Sequence, residues 1–278
     1  MPTQYRLCAI DLDDTLLGPD HRLSARSRAA VRAAAAAGVR VVIASGRMYA
    51  TTLPTARELD LSTPVICYNG AMVKDPSTGE TWMEASLPIE YSKQIIDYCA
   101  EKALQLNFYW QDLLYTRERT IWLDLYERRT SAPIVVDPDF NASFRQVAPT
   151  KLVIVDDPGV IDRLLPEMRD RFTGALYVTK SNAEYLEFLP LGADKGTALA
   201  FVATKYGISA AETVAFGDSW NDLPMLQWAG LSLAVGNAKA EVIAACTRTV
   251  TRSADDGVAI ALEELFSLEA GGTQPNPE

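Results

Sequence analysis

Short apolar runs alternate with longer stretches of mixed polarity along the first 85 residues. Runs without a helical period predict strands that are buried on both faces of a sheet; they lie at residues 5–11, 39–45 and 64–70. Ser24 and Gly38 are suited to begin and end a helix between the first two strands. Two further elements are predicted, a helix at 48–59 and a hairpin around a turn at 75–79.

The pattern changes between residues 85 and 190, where aromatic residues concentrate and isolated strands, such as 150–157, stand between helical stretches. This predicts a separate α+β insert. The alternation then resumes, with helices predicted at 195–206, 221–228, 238–246 and up to 266, and strands at 213–218, 231–235 and 247–251. We therefore expect a discontinuous core domain (1–84 and 191–278) and an inserted domain (85–190), with a disordered tail at 270–278.

Strands that alternate with helices predict a doubly wound, parallel α/β sheet. Such sheets bind ligands at the carboxyl ends of their strands. The polar residues that directly follow the predicted strands are therefore the first candidates for chemistry.

Composition narrows the functional classes. The 278 residues carry 26 Lys and Arg against 36 Asp and Glu, a net charge of −10, which disfavours nucleic acid as a partner and favours a bound cation. The single histidine, His21, excludes zinc sites that need two, and we expect it at the surface. Four widely spaced cysteines, no early signal-like run and no apolar run of membrane-spanning length predict a cytoplasmic protein that does not bind membranes.

Two acidic clusters follow predicted strands. Asp11 and Asp13 stand on the same side of the chain after the first strand, and Asp218 and Asp222 are one helical turn apart after another. Carboxylates held this close need a cation or a proton between them. A solvated acidic turn or a calcium loop would explain the first pair alone, but four oxygen ligands at one sheet edge favour Mg²⁺.

A hydroxyl and a lysine complete the set. Ser45 and Gly46 follow the second strand, where they suit an oxyanion, although an ordinary helix cap has the same pattern. Lys195 opens a helix against the helix dipole, which indicates a function or else an exposed lysine. Carboxylates, hydroxyl and lysine together suit phosphoryl transfer to a carboxylate nucleophile.

In this order the motifs DLDDTLL, ASGR, the lysine of ADKG, and GDSWNDLPM resemble the four motifs of the haloacid dehalogenase superfamily. The NGA at 69–71 and the large insert resemble the Cof-type phosphatases, whose insert is a C2 cap (subfamily IIB). One position departs from the pattern: Asp14 stands where many members have glycine.

The resemblance implies a role for each matching residue. Asp11 would be the nucleophile that takes the phosphoryl group, and Asp13 the general acid and base, with a pKa raised by the neighbouring carboxylates. Mg²⁺ would be held by Asp11, the backbone carbonyl of Asp13, Asp218 and, through water, Asp222. The phosphate would be bound by the Leu12 amide, Ser45, the Gly46 amide, Lys195 and Asn221.

The resemblance also implies that the insert is a lid that selects a small phosphorylated metabolite. Its candidates for reading the leaving group are Tyr109, Trp110, Tyr115, Arg117 and Arg119, each of which could equally belong to the core of the insert. We expect a phosphatase that is a monomer or a homodimer. A phosphomutase on the same framework and a phospho-accepting signalling protein remain as alternatives, although receiver modules are about half as long.

Overall fold

Strands and helices alternate through the first part of the chain, as the apolar runs predict. The computed structural model describes residues 4–268, so the tail expected to be disordered (270–278) lies outside the described residues. The elements of the first part are β1 (Leu7–Ile10), α1 (Ala25–Ala36), β2 (Arg40–Ile43), α2 (Tyr49–Glu58), β3 (Val65–Cys67), β4 (Met72–Lys74) and β5 (Thr81–Glu84).

Ten elements follow before the alternation of strand and helix resumes. They are α3 (Ile89–Lys102), β6 (Gln105–Trp110), β7 (Leu113–Thr116), α4 (Ile121–Thr130), β8 (Ile134–Val136), α5 (Phe140–Phe144), β9 (Lys151–Val155), α6 (Pro158–Arg171), β10 (Leu176–Lys180) and β11 (Tyr185–Pro190). The last part comprises α7 (Lys195–Tyr206), β12 (Thr213–Gly217), α8 (Leu223–Trp228), β13 (Leu231–Ala234), α9 (Ala240–Ala245), β14 (Arg248–Thr249) and α10 (Gly257–Phe266).

The main sheet has five parallel strands in the order β14-β13-β12-β1-β2. Alternate residues of β1 enter different apolar clusters: Cys8 and Ile10 join one with α1 and α10, and Leu7 and Ala9 join another with α7 and α8. Helices therefore cover both faces, which is why the strands read as continuous apolar runs. This confirms the predicted doubly wound α/β fold.

The third predicted strand, β3, lies outside the main parallel sheet. β3 touches the main sheet at one parallel bridge, between Ala44 and Ile66, and then pairs with the predicted hairpin of β4 and β5 in a small antiparallel sheet. The chain leaves β3 through Asn69, which has a left-handed backbone (φ 54°). This turn brings residues 68–70 beside the carboxyl ends of β1 and β2.

A second, mostly antiparallel sheet has the order β10-β11-β9-β6-β7-β8. Helices α3 and α6 pack on one face of it, through residues such as Ile96 and Ile161. Its other face carries Lys151, Tyr185 and Glu187 toward the main sheet's carboxyl edge. We call the unit from α3 to β11 the cap; the domain boundaries at residues 85 and 190 stay a prediction.

All four cysteines are free thiols, with Cys8, Cys67 and Cys99 buried and Cys246 half-buried. Among the helices of residues 4–268, none has both the length and the apolar character to cross a bilayer.

Candidate active site

The carboxyl ends of β1 and β12 bring the two predicted acidic clusters together around one lysine. Lys195 is fully buried, and its Nζ donates hydrogen bonds to Asp11 Oδ1 and Asp222 Oδ1, each at 2.6 Å. Asp194 caps the helix that Lys195 opens, accepting from the amide of Thr197 at 2.8 Å. The helix start against the dipole is therefore explained by two buried carboxylates.

Asp11, Asp218 and Asp222 each place one oxygen within 4.8 Å of the others, and all three are buried. The second oxygen of Asp222 accepts from the amides of Asp218 and Ser219, each at 3.0 Å, which fixes this carboxylate in place. Asp218 is steadied by Thr15, whose hydroxyl donates to it at 3.0 Å. Three carboxylates face one ammonium, which leaves an excess of negative charge.

That excess is expressed in the pKa values. Burial, followed by repulsion from Asp222, raises the pKa of Asp11 to about 7 in spite of Lys195. Burial and the charges of Asp222 and Asp11 raise the pKa of Asp218 to about 9. Burial alone would lower the pKa of Lys195, but the carboxylates of Asp11 and Asp222 raise it, so the ammonium stays charged. Carboxylates crowded in this way favour a cation or a proton between them.

Asp13 is not part of this cluster through its side chain. The Nε atom of Arg47 donates to Asp13 Oδ2 at 2.8 Å and its Nη2 to Oδ1, while the ring of His21 lies 3.3 Å from Oδ1. Burial favours the protonated carboxyl, but Arg47 and His21 outweigh it and lower the pKa of Asp13. This corrects the expected raised pKa: Asp13 is paired with a cation instead of being crowded by acids.

Ser45 and Gly46 follow β2, as predicted, in a loop that reaches the same edge. Ser45 is buried, and its Oγ accepts from the amide of Arg47 at 3.1 Å. The Nδ2 atom of Asn221 donates to Asn69 Oδ1 at 2.9 Å. Leu12, which stands between Asp11 and Asp13 in the sequence, is buried.

Asp14 adopts a left-handed backbone, with φ of 58°. Glycine reaches this region without strain, whereas most other residues do not, and Asp is among the better tolerated exceptions. The side chain of Asp14 is exposed at the rim of the site. The backbone carbonyl of Asp14 accepts a hydrogen bond from Asn237 Nδ2 at 2.7 Å. The departure from glycine is therefore accommodated by the backbone.

A cavity of about 340 Å³ lies between this edge and the cap. The core lines it with Asp11, Asp13, Gly46, Arg47, Asp218 and Asn221, among others. The cap lines it with polar side chains: Tyr126, Arg129, Thr130, Lys151, Ser181, Asn182, Tyr185 and Glu187. Lys195 lies directly behind Asp11.

The structure places the five predicted cap residues away from this cavity, which corrects that expectation. Tyr109 is buried behind the lining and donates from its hydroxyl to Tyr126 Oη at 2.6 Å. Trp110 and Tyr115 pack with Phe144 on the opposite face of the cap sheet. The two arginines pair with cap residues, Arg117 with Asn141, and Arg119 with Asp124 and Glu127. They form the interior and outer surface of the cap.

Five further residues line the cavity that the sequence analysis did not select: Arg47, Lys151, Glu187, Tyr126 and Arg129. Arg47 carried a usable signal, since it directly follows the Ser–Gly of the loop. Lys151 begins the apolar strand β9 and Glu187 interrupts the apolar strand β11, and a charged residue in such a strand is seldom buried without a partner. The cap helix α4 that supplies Tyr126 and Arg129 offers no comparable signal.

Residues 8–262 of the chain match the sequence pattern of the haloacid dehalogenase-like hydrolase family. The chain is 31% identical to YxeH of Bacillus subtilis over 269 residues, which covers 94% of this chain and 98% of YxeH. It is 30% identical to the 5-amino-6-(5-phospho-D-ribitylamino)uracil phosphatase YwtE of the same organism, covering 93% and 97% of the two chains.

Solved structures have the same architecture. The crystal structure of TM0651 from Thermotoga maritima superimposes with a TM-score of 0.83 at 33% identity, covering 94% of this chain and 97% of that one. The core and the cap described above are thus both shared with a homologous protein over almost the full length.

Proposed function

The chain belongs to the haloacid dehalogenase-like hydrolase family and is a phosphatase, and we propose that it hydrolyses small phosphate monoesters with Mg²⁺, through a phosphoryl group held on Asp11. The observation that carries this proposal is the contact of Lys195 with Asp11 and Asp222 beside Asp218, at the mouth of a polar cavity. That arrangement joins a nucleophile, a fixed cation and a place for a metal.

The residues present fit a magnesium ion. Asp11 and Asp218 have pKa values raised by uncompensated burial and repulsion, and oxygen-only donors are what Mg²⁺ prefers. Asp11, Asp218 and the carbonyl of Asp13 would hold the ion, with Asp222 in support. When bound, the ion would neutralise charge on the transferring phosphoryl group.

Asp11 supplies the nucleophile. A carboxylate oxygen of Asp11 attacks phosphorus, the bond from phosphorus to the ester oxygen breaks, and an aspartyl-phosphate forms. Lys195 keeps Asp11 in place and stays protonated, so that it offsets the charge that collects on the phosphoryl oxygens. Ser45, the amides of Leu12 and Gly46, and Asn221 surround the phosphate.

Asp13 moves the protons. In its protonated form Asp13 gives its proton to the departing ester oxygen and becomes a carboxylate. Arg47, on both of its oxygens, stabilises this carboxylate. The carboxylate then takes a proton from the water whose oxygen bonds to phosphorus; the bond from phosphorus to Asp11 breaks, inorganic phosphate leaves, and both aspartates return to their starting forms. A signalling protein that only stored a phosphoryl group would not need this second carboxylate.

The cap side of the cavity indicates the leaving group. Its lining offers hydroxyls from Tyr126, Thr130, Ser181 and Tyr185, and the amide of Asn182. Such groups bind a small, hydroxylated leaving group, as in sugar or polyol phosphates, better than an apolar one. We assign leaving-group recognition to this set.

The test is phosphate release from p-nitrophenyl phosphate, sugar phosphates and 5-amino-6-(5-phospho-D-ribitylamino)uracil, with Mg²⁺ and with EDTA. We expect release that needs Mg²⁺ and is lost in Asp11→Asn. Asp97→Asn, which alters an exposed cap ion pair with Arg145, is the matched control and should retain activity.

If the wild-type protein with Mg²⁺ releases no phosphate from any ester, the phosphatase proposal fails. Phosphoryl transfer between sugar hydroxyls would then support a mutase. Lasting phosphorylation of Asp11 would support a signalling protein.

A further inference from the structure

The carbonyl oxygens of the loop 45–47 are held from two directions. Backbone amides of the turn 68–69, in the core, donate to the carbonyls of Ser45 and Arg47 at 3.1 and 2.8 Å. The carbonyl between them, that of Gly46, accepts from Lys151 Nζ at 2.9 Å. Lys151 belongs to β9 of the cap, so the central peptide of the loop is fixed by the cap.

Lys151 acts together with a carboxylate on the next strand. Glu187 lies on the same face of β11, with its Oε2 3.4 Å from Lys151 Nζ. The same oxygen accepts from Asn69 Nδ2 at 2.6 Å, and Asn69 Oδ1 accepts from Asn221 Nδ2 at 2.9 Å. A continuous chain of hydrogen bonds thus runs from the cap to Asn221 in the core.

Burying a charged pair such as this one costs solvation free energy. The side chains of Lys151 and Glu187 are 2% and 4% exposed. Ser181 also donates to Glu187, and Lys151 Nζ lies 5.0 Å from the centre of the Tyr109 ring. A buried pair satisfied in this way adds little stability over apolar residues, but it holds its partners in one arrangement.

We propose that Lys151 and Glu187 are positioning residues, which align the phosphate-binding groups of the core only when the cap lies on it. Lys151 sets the peptide that joins Gly46 to Arg47, and Glu187, through Asn69, sets the amide of Asn221. This inference rests on the proposed function, because it takes the loop and Asn221 as the phosphate site.

The consequence is that a cap residue controls affinity for phosphate itself. A residue that only contacted the leaving group would affect the binding of the ester and have no effect on inorganic phosphate, which has no leaving group. Inorganic phosphate is therefore the probe that separates an effect on the phosphate site from contact with the leaving group.

The experiment measures the dissociation constant of inorganic phosphate by calorimetry, in the presence of Mg²⁺, for the wild type and Lys151→Met. We expect about tenfold weaker phosphate binding, the effect of losing one charged hydrogen bond, with kcat reduced as well. Lys180→Met is the matched control, since Lys180 pairs with Asp162 on the cap away from the cavity, and its phosphate affinity should not change.

An unchanged phosphate affinity in Lys151→Met, with a higher KM for the ester, would overturn the proposal and make Lys151 a leaving-group contact. A wild-type protein that binds phosphate but hydrolyses no ester would contradict the proposed function instead. The two failures are therefore distinguishable.

A donor–acceptor exchange tests the Glu187 branch without removing volume. Asn69→Asp places a second carboxylate against Glu187, so phosphate binding should weaken at least tenfold. The double variant Asn69→Asp/Glu187→Gln restores a hydrogen bond with the donor on the other side, and should recover affinity to within about threefold of the wild type. A double variant no better than Asn69→Asp would overturn the proposal, and thermal unfolding of each variant checks that it is folded.

Discussion

The guanidinium of Arg47 donates to both carboxylate oxygens of Asp13, so the candidate acid and base of this site is held by the loop that also contains Ser45 and Gly46. A bidentate pair fixes direction as well as charge. The proposed proton-transferring residue and the proposed phosphate-binding groups are therefore coupled, since a shift of this loop would displace both.

Replacing this arginine should impair catalysis more than it impairs folding. In Arg47→Gln, Asp13 loses both hydrogen bonds and its orientation, and we expect kcat to fall by at least about tenfold. Steady-state kinetics and the thermal unfolding midpoint measure the two effects. Arg28→Gln, at an exposed pair with Glu58, is the control; equal kcat values for both variants would contradict a role for Arg47.

Removing the buried ammonium should destabilise the metal-free protein. Lys195→Met leaves Asp11 and Asp222 without their shared cation, and breaking a buried pair of this kind costs about 3 kcal/mol. We expect a lower free energy of unfolding in urea with EDTA, partial recovery with Mg²⁺, and no phosphatase activity. A variant as stable as the wild type in EDTA would show that the carboxylates do not depend on this lysine.

Magnesium should stabilise the protein more at pH 8 than at pH 6. The folded-state pKa values of Asp11 (about 7) and Asp218 (about 9) lie above the ordinary value near 4. The metal-free fold is therefore favoured by protonation at low pH, and loses this stability as the pH rises through 7 and toward 9.

A bound divalent ion replaces those protons, so its effect grows with pH. The measurement is the difference in unfolding midpoint between Mg²⁺ and EDTA from pH 5.5 to 9. A difference that is constant, or larger at pH 6, would contradict the assignment of these carboxylates to a metal.

Gly70→Ala should be much more damaging than the same change at Gly174. Gly70 has a φ of 100°, and a Cβ there would lie 2.2 Å from the carbonyl oxygen of Asp194, next to Lys195. We expect a loss of at least about 2 kcal/mol in the free energy of unfolding, with reduced activity.

Gly174→Ala is the matched control for this prediction, because Gly174 also has a positive φ (71°) but has nothing within 4 Å of the added carbon. It should cost only about 1 kcal/mol, from backbone strain. Chemical denaturation compares the two variants, and equal losses would show that the contact with Asp194 is unimportant.

The core of this protein could be predicted from local patterns in the chain. Strands buried on both faces appear as unbroken apolar runs, and parallel strands all end at one edge, so Asp11, Ser45 and Asp218 could be placed together without coordinates. Local signals were sufficient here because each of these residues lies within two positions of the end of its strand.

The contact between the cap and the carboxyl edge of the main sheet could be seen only in the folded chain. The aromatic residues and arginines expected to read the leaving group lie elsewhere, because an aromatic side chain in a small sheet packs as readily inside it as on its ligand face. The cap residues that do face the cavity come from α4, β9, β11 and the loop before β11, far apart in sequence. Likewise the pKa of Asp13 depends on Arg47, 34 positions away, and no local spacing encodes such a pairing.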